Sequence, residues 1–274
     1  MENSTKRVDL LPAKRRAMIL DHLRVNGAAS IQALAEAIGG SGSTIRRDLD
    51  HLMEGGYLER THGGAVLLQP LRATFERDNS INAQIGHAEK AAIGAEAAKR
   101  LNPRDSVILD SSSTVMEAVR AAAARGIPLT MVTNSLDIAQ FCAEVPNWRV
   151  IMPGGTVRPG FKALAGEPGE GFLQTLHADI CLTGAFAVTG NLITDASLDV
   201  ASLKRAMIRA ARRAILLVDN SKFAEPGFCT CCDLSLIDEV ITDERAPAEA
   251  IASLRSFEKS VTVVPILDAA SMED

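Results

Sequence analysis

The chain of 274 residues predicts an α/β protein in two parts, a small helical head and a larger body built on a mostly parallel open sheet. Three observations predict it. Through about residue 54 apolar side chains recur at helical spacing, and two short apolar runs around a Gly-Gly follow. From residue 106 onward short apolar runs alternate with helical stretches, the pattern of a sheet covered on both faces. Hydrophobic residues make up 47% of the chain and aromatic ones 4%, so both cores must be aliphatic.

The elements follow in order. Residues 12–25 read as a first helix, with Pro12 suited to its first position and Ile19, Leu20 and Leu23 on one face. Asn26-Gly27 stops it. Ser30 caps a short helix, IQALAEAI, and Gly39-Gly40 breaks the chain. Ser41 caps a third helix whose Ile45, Leu49 and Leu52 face inward, and Gly55-Gly56 ends it. Tyr57-Leu58 and Ala65–Leu68 flank a turn at His62-Gly63-Gly64, which predicts a β-hairpin. Three helices and a hairpin make a winged helix-turn-helix over residues 1–68. Residues 69–86, with Pro70 and mixed charge, read as a linker, and 87–274 as the second domain. There an Ala-rich helix over 87–101 precedes the strands SVILD, LTMVTN, WRVIMPGG, DICLTG, AILLVD, VITD and VTVVP, with helices between them.

Charge divides along the same line. Residues 1–70 hold nine basic and eight acidic side chains, leaving twenty basic and twenty-six acidic to the remainder. That sign suits a nucleic-acid-binding head on an acidic body. Five cysteines, three of them at Cys229, Cys231 and Cys232, form no disulfide framework and imply a reducing compartment. MENSTKRVDLLPAKRR carries no apolar signal core, and no run reaches the ~18 apolar residues of a membrane span. A cytoplasmic protein is expected.

The second helix of a helix-turn-helix pair enters the major groove with its N-terminal residues at base edges. Here that assigns DNA contacts to Ser41, Ser43, Thr44, Arg46 and Arg47, with His62 at the hairpin tip reaching the backbone or minor groove. The competing reading pairs Arg46 with Asp50 on a solvated face. In the second domain, Asp110-Ser111-Ser112-Ser113-Thr114 sits where a strand ends and a helix begins, so N–H groups and hydroxyls converge on an anion. Thr133-Asn134-Ser135, Gly154-Gly155, Gly184 and Asp219-Asn220-Ser221-Lys222 occupy similar strand ends, and five loops at one sheet edge could line one pocket. Lys204 and Lys222 supply positive charge for a phosphate, while Asp110 or Asp219 accept from sugar hydroxyls. The alternatives are ordinary helix capping by each serine and a solvated helix face for Lys204-Arg205. Arg158 either closes over a phosphate or sits exposed. Cys229-Thr230-Cys231-Cys232 lacks a second spaced pair and a nearby histidine, so neither metal nor cofactor is expected, and His177 reads as structural.

Ser41, Thr44-Ile45-Arg46-Arg47-Asp48-Leu49, Gly56-Tyr57-Leu58 and Arg60-Thr61-His62-Gly63-Gly64-Ala65 together resemble the N-terminal signature of the DeoR family of bacterial transcription regulators. Phe75-Glu76-Arg77 and Glu89-Lys90 extend the resemblance along nearly the whole chain. It implies a sugar-phosphate-sensing second domain, related in fold to ribose-phosphate isomerases. Four positions depart from the family pattern. Gly40 replaces an apolar residue in the turn, Gly42 opens the recognition helix, Ser112 replaces the glycine of D-S-G-S-T, and Val200, beside Asp199, replaces a glutamate four residues before Lys204.

The expected function is a non-enzymatic DNA-binding regulator, a repressor of a carbohydrate operon controlled by a phosphorylated sugar and working as a dimer or tetramer on duplex operator DNA. Two alternatives stand beside it. One is DNA binding without any small ligand. The other is a sugar-phosphate isomerase, which Thr183-Gly184-Ala185-Phe186-Ala187 disfavours because it offers no carboxylate base.

Overall fold

The computed structural model describes residues 12–67, 85–158 and 161–266. The chain divides into two compact units, Met1–Gly86 and His87–Asp274.

The first unit contains α1 (Pro12–Asn26), β1 (Ala28–Ser30), α2 (Ile31–Ile38), α3 (Gly42–Glu54), β2 (Leu58–Thr61) and β3 (Gly64–Leu67). Ile19, Leu20, Leu23, Leu34, Ile45, Leu49, Leu52 and Leu58 are fully buried, so the periodic apolar positions are the core. Each such side chain contributes about 1.5–3 kcal/mol by burial. Ser30 and Ser41 cap α2 and α3, their hydroxyls accepting from the N–H groups of Ala33 and Thr44. Gly39 ends α2 in the left-handed region, where a side chain would be strained.

β1 is an element that the sequence reading did not place. It pairs with β3 to complete a sheet of order β1-β3-β2. Gly64 allows this pairing, because a Cβ there would lie 2.2 Å from the Ala29 carbonyl oxygen. Three residues reading Ala-Ala-Ser carry no alternation to announce a strand. Most of the expected linker lies outside the described residues; its last part does not, and Ile85 packs into this core.

The second unit holds α4 (His87–Ala98), β4 (Ser106–Leu109), α5 (Ser113–Ala123), β5 (Leu129–Thr133), α6 (Leu136–Ala143), β6 (Trp148–Ile151), β7 (Thr156–Arg158), β8 (Ala163–Ala165), α7 (Gly169–Leu173), β9 (Ala178–Thr183), β10 (Ala187–Thr189), β11 (Leu192–Asp195), α8 (Leu198–Arg209), β12 (Ala211–Leu217), β13 (Cys229–Asp233), β14 (Glu239–Asp243), α9 (Ala248–Ser256) and β15 (Ser260–Val264). Seven strands form one sheet, ordered β15-β14-β12-β9-β4-β5-β6 and parallel at every pairing. Its side chains alternate between two cores. Val107, Leu109, Leu182 and Leu217 pack on one face with Ile93, Val115 and Ile138 of α4, α5 and α6. Ile108, Cys181 and Leu216 pack on the other with Ala201, Leu203 and Met207 of α8. Burial on both faces explains why the strands read as continuous apolar runs.

Chain order reverses between β4 and β9. After β4 the chain continues to β5 and β6 on one side, and after β9 to β12, β14 and β15 on the other. Two smaller pieces depart from the expected pattern. β7 and β8 form an antiparallel hairpin, and β10, β11 and β13 an antiparallel sheet with a bulge at Ile193/Thr194. Their strands are three to five residues long, too short for a period to show.

Candidate functional site

Two sites emerge, one in each unit. In the first, α3 presents a buried side of Ile45, Asp48, Leu49 and Leu52. At 100° per residue this leaves Ser43, Arg46, Arg47 and Asp50 on the outward side. Ser43, Arg46 and Arg47 are exposed, and so is His62 at the tip of the hairpin. The Ser41 hydroxyl lies 2.9 Å from that of Ser43 and 2.8 Å from that of Thr44, a cluster at the N-terminus of α3 where N–H groups favour an anion. Asp50 does not hold Arg46 in place as the bland reading has it; it sits 2.8 Å from Nη2 of Arg60 on β2.

Asp48 is a residue whose role sequence reasoning missed. It is buried at 2% exposure, and both its oxygens are taken, by Nε of Arg15 and of Arg16 on α1. This pair fixes the rotation of α3 about its axis and so aims the outward side. The signal was the charge itself, an aspartate on the apolar stripe of α3 three residues after Ile45.

In the second unit the five loops singled out from sequence follow β4, β5, β6, β9 and β12. These are five neighbouring, parallel strands, so all five loops leave the same sheet edge. At ~4.8 Å per strand they span roughly 19 Å, more than one small ligand covers. The reversal between β4 and β9 marks the centre, the place where open α/β sheets bind ligands.

At that centre lies a closed ionic network. Asp110 Oδ1 accepts from the Ser112 N–H, while Oδ2 accepts from the Thr183 hydroxyl at 3.0 Å and the Gly184 N–H at 2.8 Å. Nζ of Lys204, reaching in from α8, lies 3.5 Å from Asp110 and 3.1 Å from Asp195. All three charged groups are at most 7% exposed. Burial opposes the lysine's charge, but the two carboxylates outweigh it and push its pKa up. Both oxygens of Asp110 thus accept from protein donors, and Lys204 stands between two carboxylates, an arrangement that braces the loops after β4 and β9. Lys204-Arg205 is no solvated pair, since Arg205 donates to the carbonyls of Thr230 and Cys231. Asp195, which sequence reasoning did not name, ends β11, a strand too short to be foreseen.

Asp219 is likewise engaged, accepting from the Ser221 N–H and hydroxyl. Burial alone would raise its carboxyl; the charges of Lys222 and Lys90 and the Ser221 bonds outweigh that and hold it below the usual carboxylate range. Lys90, buried on α4 at 4% exposure, thus joins this end of the edge. The serines do cap helices. Ser112 and Ser135 accept from the N–H groups of Val115 and Ile138. Ser112 adopts φ −75°, so the position needs no glycine conformation; instead Gly184 must stay small, because a Cβ there would meet Ser112 at 2.7 Å. Ser111 and Ser113 are half-buried, and Thr114 is buried. Gly154 and Gly155, at φ +89° and +121°, turn the chain so that β7 can pair with β8. A Cβ at Gly155 would lie 2.7 Å from the Ala165 carbonyl oxygen, so these glycines serve the hairpin.

Two features remain open to a ligand. The first intrahelical bond of α5 runs from the Met116 N–H to the Ser112 carbonyl, so the Ser113 and Thr114 N–H groups lie ahead of the ladder. On the next strand, Thr133 Oγ1 accepts from the Ser135 N–H, and Asn134 Nδ2 donates to the Leu164 carbonyl at 2.8 Å. Asn134 Oδ1 is buried with no partner among the described residues. A buried orphan acceptor costs about 1–3 kcal/mol, which a ligand hydroxyl would recover.

Arg158 stacks on Phe161, 4.4 Å from its ring centre, and its backbone pairs with Ala163, which bridges Ser135 at this edge. Exposed His177 borders a cavity of about 320 Å³ with Arg205 and Arg209, at the opposite end of the sheet, where β9 and β12 begin. Burial pushes the Cys231 and Cys232 thiols up to about 12 and about 11.

Residues 85–244 match the family described as the DeoR C terminal sensor domain, and residues 15–70 the DeoR-like helix-turn-helix domain. The chain belongs to the DeoR family. This DeoR-family regulator is 32% identical over 257 residues to the HTH-type transcriptional regulator GlpR of Haloferax volcanii, covering 93% of this chain and 98% of that protein. It is 29% identical to the putative aga operon transcriptional repressor of Escherichia coli O157:H7, over 92% of this chain and 94% of the other. It is 35% identical to the L-fucose operon activator of Haemophilus influenzae, over 85% and 92% respectively. Among solved structures, ribose 5-phosphate isomerase A of Methanocaldococcus jannaschii aligns at 16% identity with a TM-score of 0.38, over 49% of this chain and 53% of that one.

Proposed function

We propose that this DeoR-family regulator represses a carbohydrate-use operon and that a phosphorylated sugar controls it. The observation that carries the reading is the sheet edge at the β4/β9 reversal. There the free end of α5 offers N–H groups to a phosphate, and one strand away the orphan Asn134 Oδ1 offers an acceptor to a hydroxyl. The Asp110–Lys204–Asp195 network ties the loop that starts α5 to the loop after β9. A relative named as an L-fucose operon activator supports the effector class, and one named as a putative aga operon transcriptional repressor supports operon control.

On this reading Ser41, Ser43, Thr44, Arg46, Arg47 and His62 contact operator DNA. Two copies of the chain read half-sites about one DNA turn, ~34 Å, apart or a multiple of it. On this reading the protein works without catalysis, and the two carboxylates at the centre of the edge, Asp110 and Asp195, serve as partners of Lys204.

The test is retention of duplexes from upstream of the chain's own and neighbouring genes, with and without a panel of sugar phosphates. Binding to one duplex, relieved by one sugar phosphate, is the expected result. Binding that no member of the panel alters would favour the second reading, a DNA binder whose second unit only assembles copies. The saturation of Asp110 is the observation on that side.

A further inference from the structure

Asp50 holds an unusual place. On the α3 wheel it lies between Arg46 and Arg47 and two turns after Ser43, near the middle of the side turned away from the core residues Ile45, Leu49 and Leu52. A bare carboxylate there would face the phosphates of any duplex that α3 enters, well within the ~8 Å over which charges act at physiological salt. It is not bare. The guanidinium of Arg60, projecting from β2, stands 2.8 Å from its Oδ1, the two side chains being 29% and 51% exposed for Arg60 and Asp50. A pair this exposed contributes only about 0–1 kcal/mol to folding, so stability does not account for it. What the pair does is cancel the charge of Asp50 while leaving its other oxygen open on the reading side of the helix.

A carboxylate in that position has a specific use. In the major groove, acidic side chains accept from the exocyclic amino group of cytosine, N4, which thymine lacks. We propose that Asp50 is a specificity-determining residue that accepts from the N4 amino group of a cytosine in the operator half-site, and that Arg60 is its positioning partner. The assignment rests on the DNA-binding reading above. Arg46 and Arg47 supply donors on the same side of the helix and Ser43 a hydroxyl that can donate or accept, and Asp50 adds an acceptor-only group, which distinguishes cytosine among pyrimidines.

The experiment is selection of binding sites from a random-sequence duplex pool by the full-length protein, followed by affinity measurement on every single-base variant of the selected site. Wild type, Asp50→Ala, Asp50→Asn and Arg60→Gln are compared, with thermal unfolding of each to show an intact fold. Asp50→Ala should lose about 5–150-fold of discrimination, the equivalent of ~1–3 kcal/mol, at one base pair per half-site and keep its preferences elsewhere. Asp50→Asn, which replaces the second acceptor oxygen with a donor amide, should lose or change the preference at the same pair. Arg60→Gln should weaken binding to all duplexes and blur that pair. If Asp50→Ala selects the same site with the same discrimination at every position, Asp50 reads no base and the proposal fails while the regulator reading stands. If wild type enriches no sequence at all, both fail together.

Discussion

Lys204 is the centre of the buried ionic network at the candidate sheet edge. It lies between Asp110 and Asp195, all three buried, and the first of those carboxylates ties the loop after β4 to the loop after β9. Removing one partner from such a group leaves uncompensated charge in the interior, at a cost of roughly 3–5 kcal/mol. Lys204→Met should therefore lower unfolding free energy by that order in urea titration, and adding Asp195→Asn should recover part of the loss. Equal stability of Lys204→Met and wild type would show that the network braces nothing. On the reading helix, Arg46→Ala and Arg47→Ala should weaken operator binding. A base contact would show as a loss of ~1–3 kcal/mol at one position, and a phosphate contact as a sequence-blind loss with the salt slope reduced by about one. Operator affinity and salt slope unchanged in both variants would remove these arginines from the interface.

Elements tell how far the sequence alone could be read. The helices of the head were legible because their apolar positions recur at helical spacing, and the seven strands of the central sheet because burial on both faces makes them near-continuous apolar runs. β1, the β7–β8 hairpin and the β10-β11-β13 sheet were not, because at three to five residues they show no period and most of them no continuous apolar run either. That gap cost the candidate site its missing member, Asp195, which ends β11. Residue types and strand ends picked out five loops that the fold brings to one sheet edge, but which carboxylate is paired there depends on long-range partners such as Lys204 and Thr183, and spacing along the chain says nothing of those. Gly42, at the start of α3, also resolves at this scale. A Cβ at Gly42 would meet only Ile31 Cγ2 at 3.7 Å, and its φ is ordinary, so nothing in the fold requires glycine. Gly42→Ala should raise the stability of the head by about 0.4–1 kcal/mol, chiefly by restricting the unfolded chain. A lower melting temperature for this variant would mean that α3 needs glycine for a reason outside the fold described.

Over the whole molecule, stability against acid and coupling between units are the quantities to follow. Glu239, at 3% exposure on β14, would have its carboxyl raised by burial, but Arg100, Thr262 and Arg213 bind it and hold it below its ordinary 4.5. A carboxyl depressed in the native state binds its proton more readily when unfolded. Its contribution is therefore complete above about pH 4.5 and disappears as pH falls through the depressed native value. Unfolding free energy should fall over that acid window, and Glu239→Gln, less stable at neutral pH, should show a shallower fall. An identical acid slope in the two proteins would contradict this account.

The reading head and the sheet edge matter to each other only if a ligand at one changes affinity at the other. Typical coupling between such sites is ~1–3 kcal/mol, or about 5–150-fold. The most direct measurement is operator affinity of the full-length protein while a sugar phosphate is titrated against its unphosphorylated sugar. A shift within that range for the phosphorylated form alone is the predicted result. The same affinity across a full panel of sugar phosphates, with the duplex still bound, would contradict the claim that this sheet edge is the sensor.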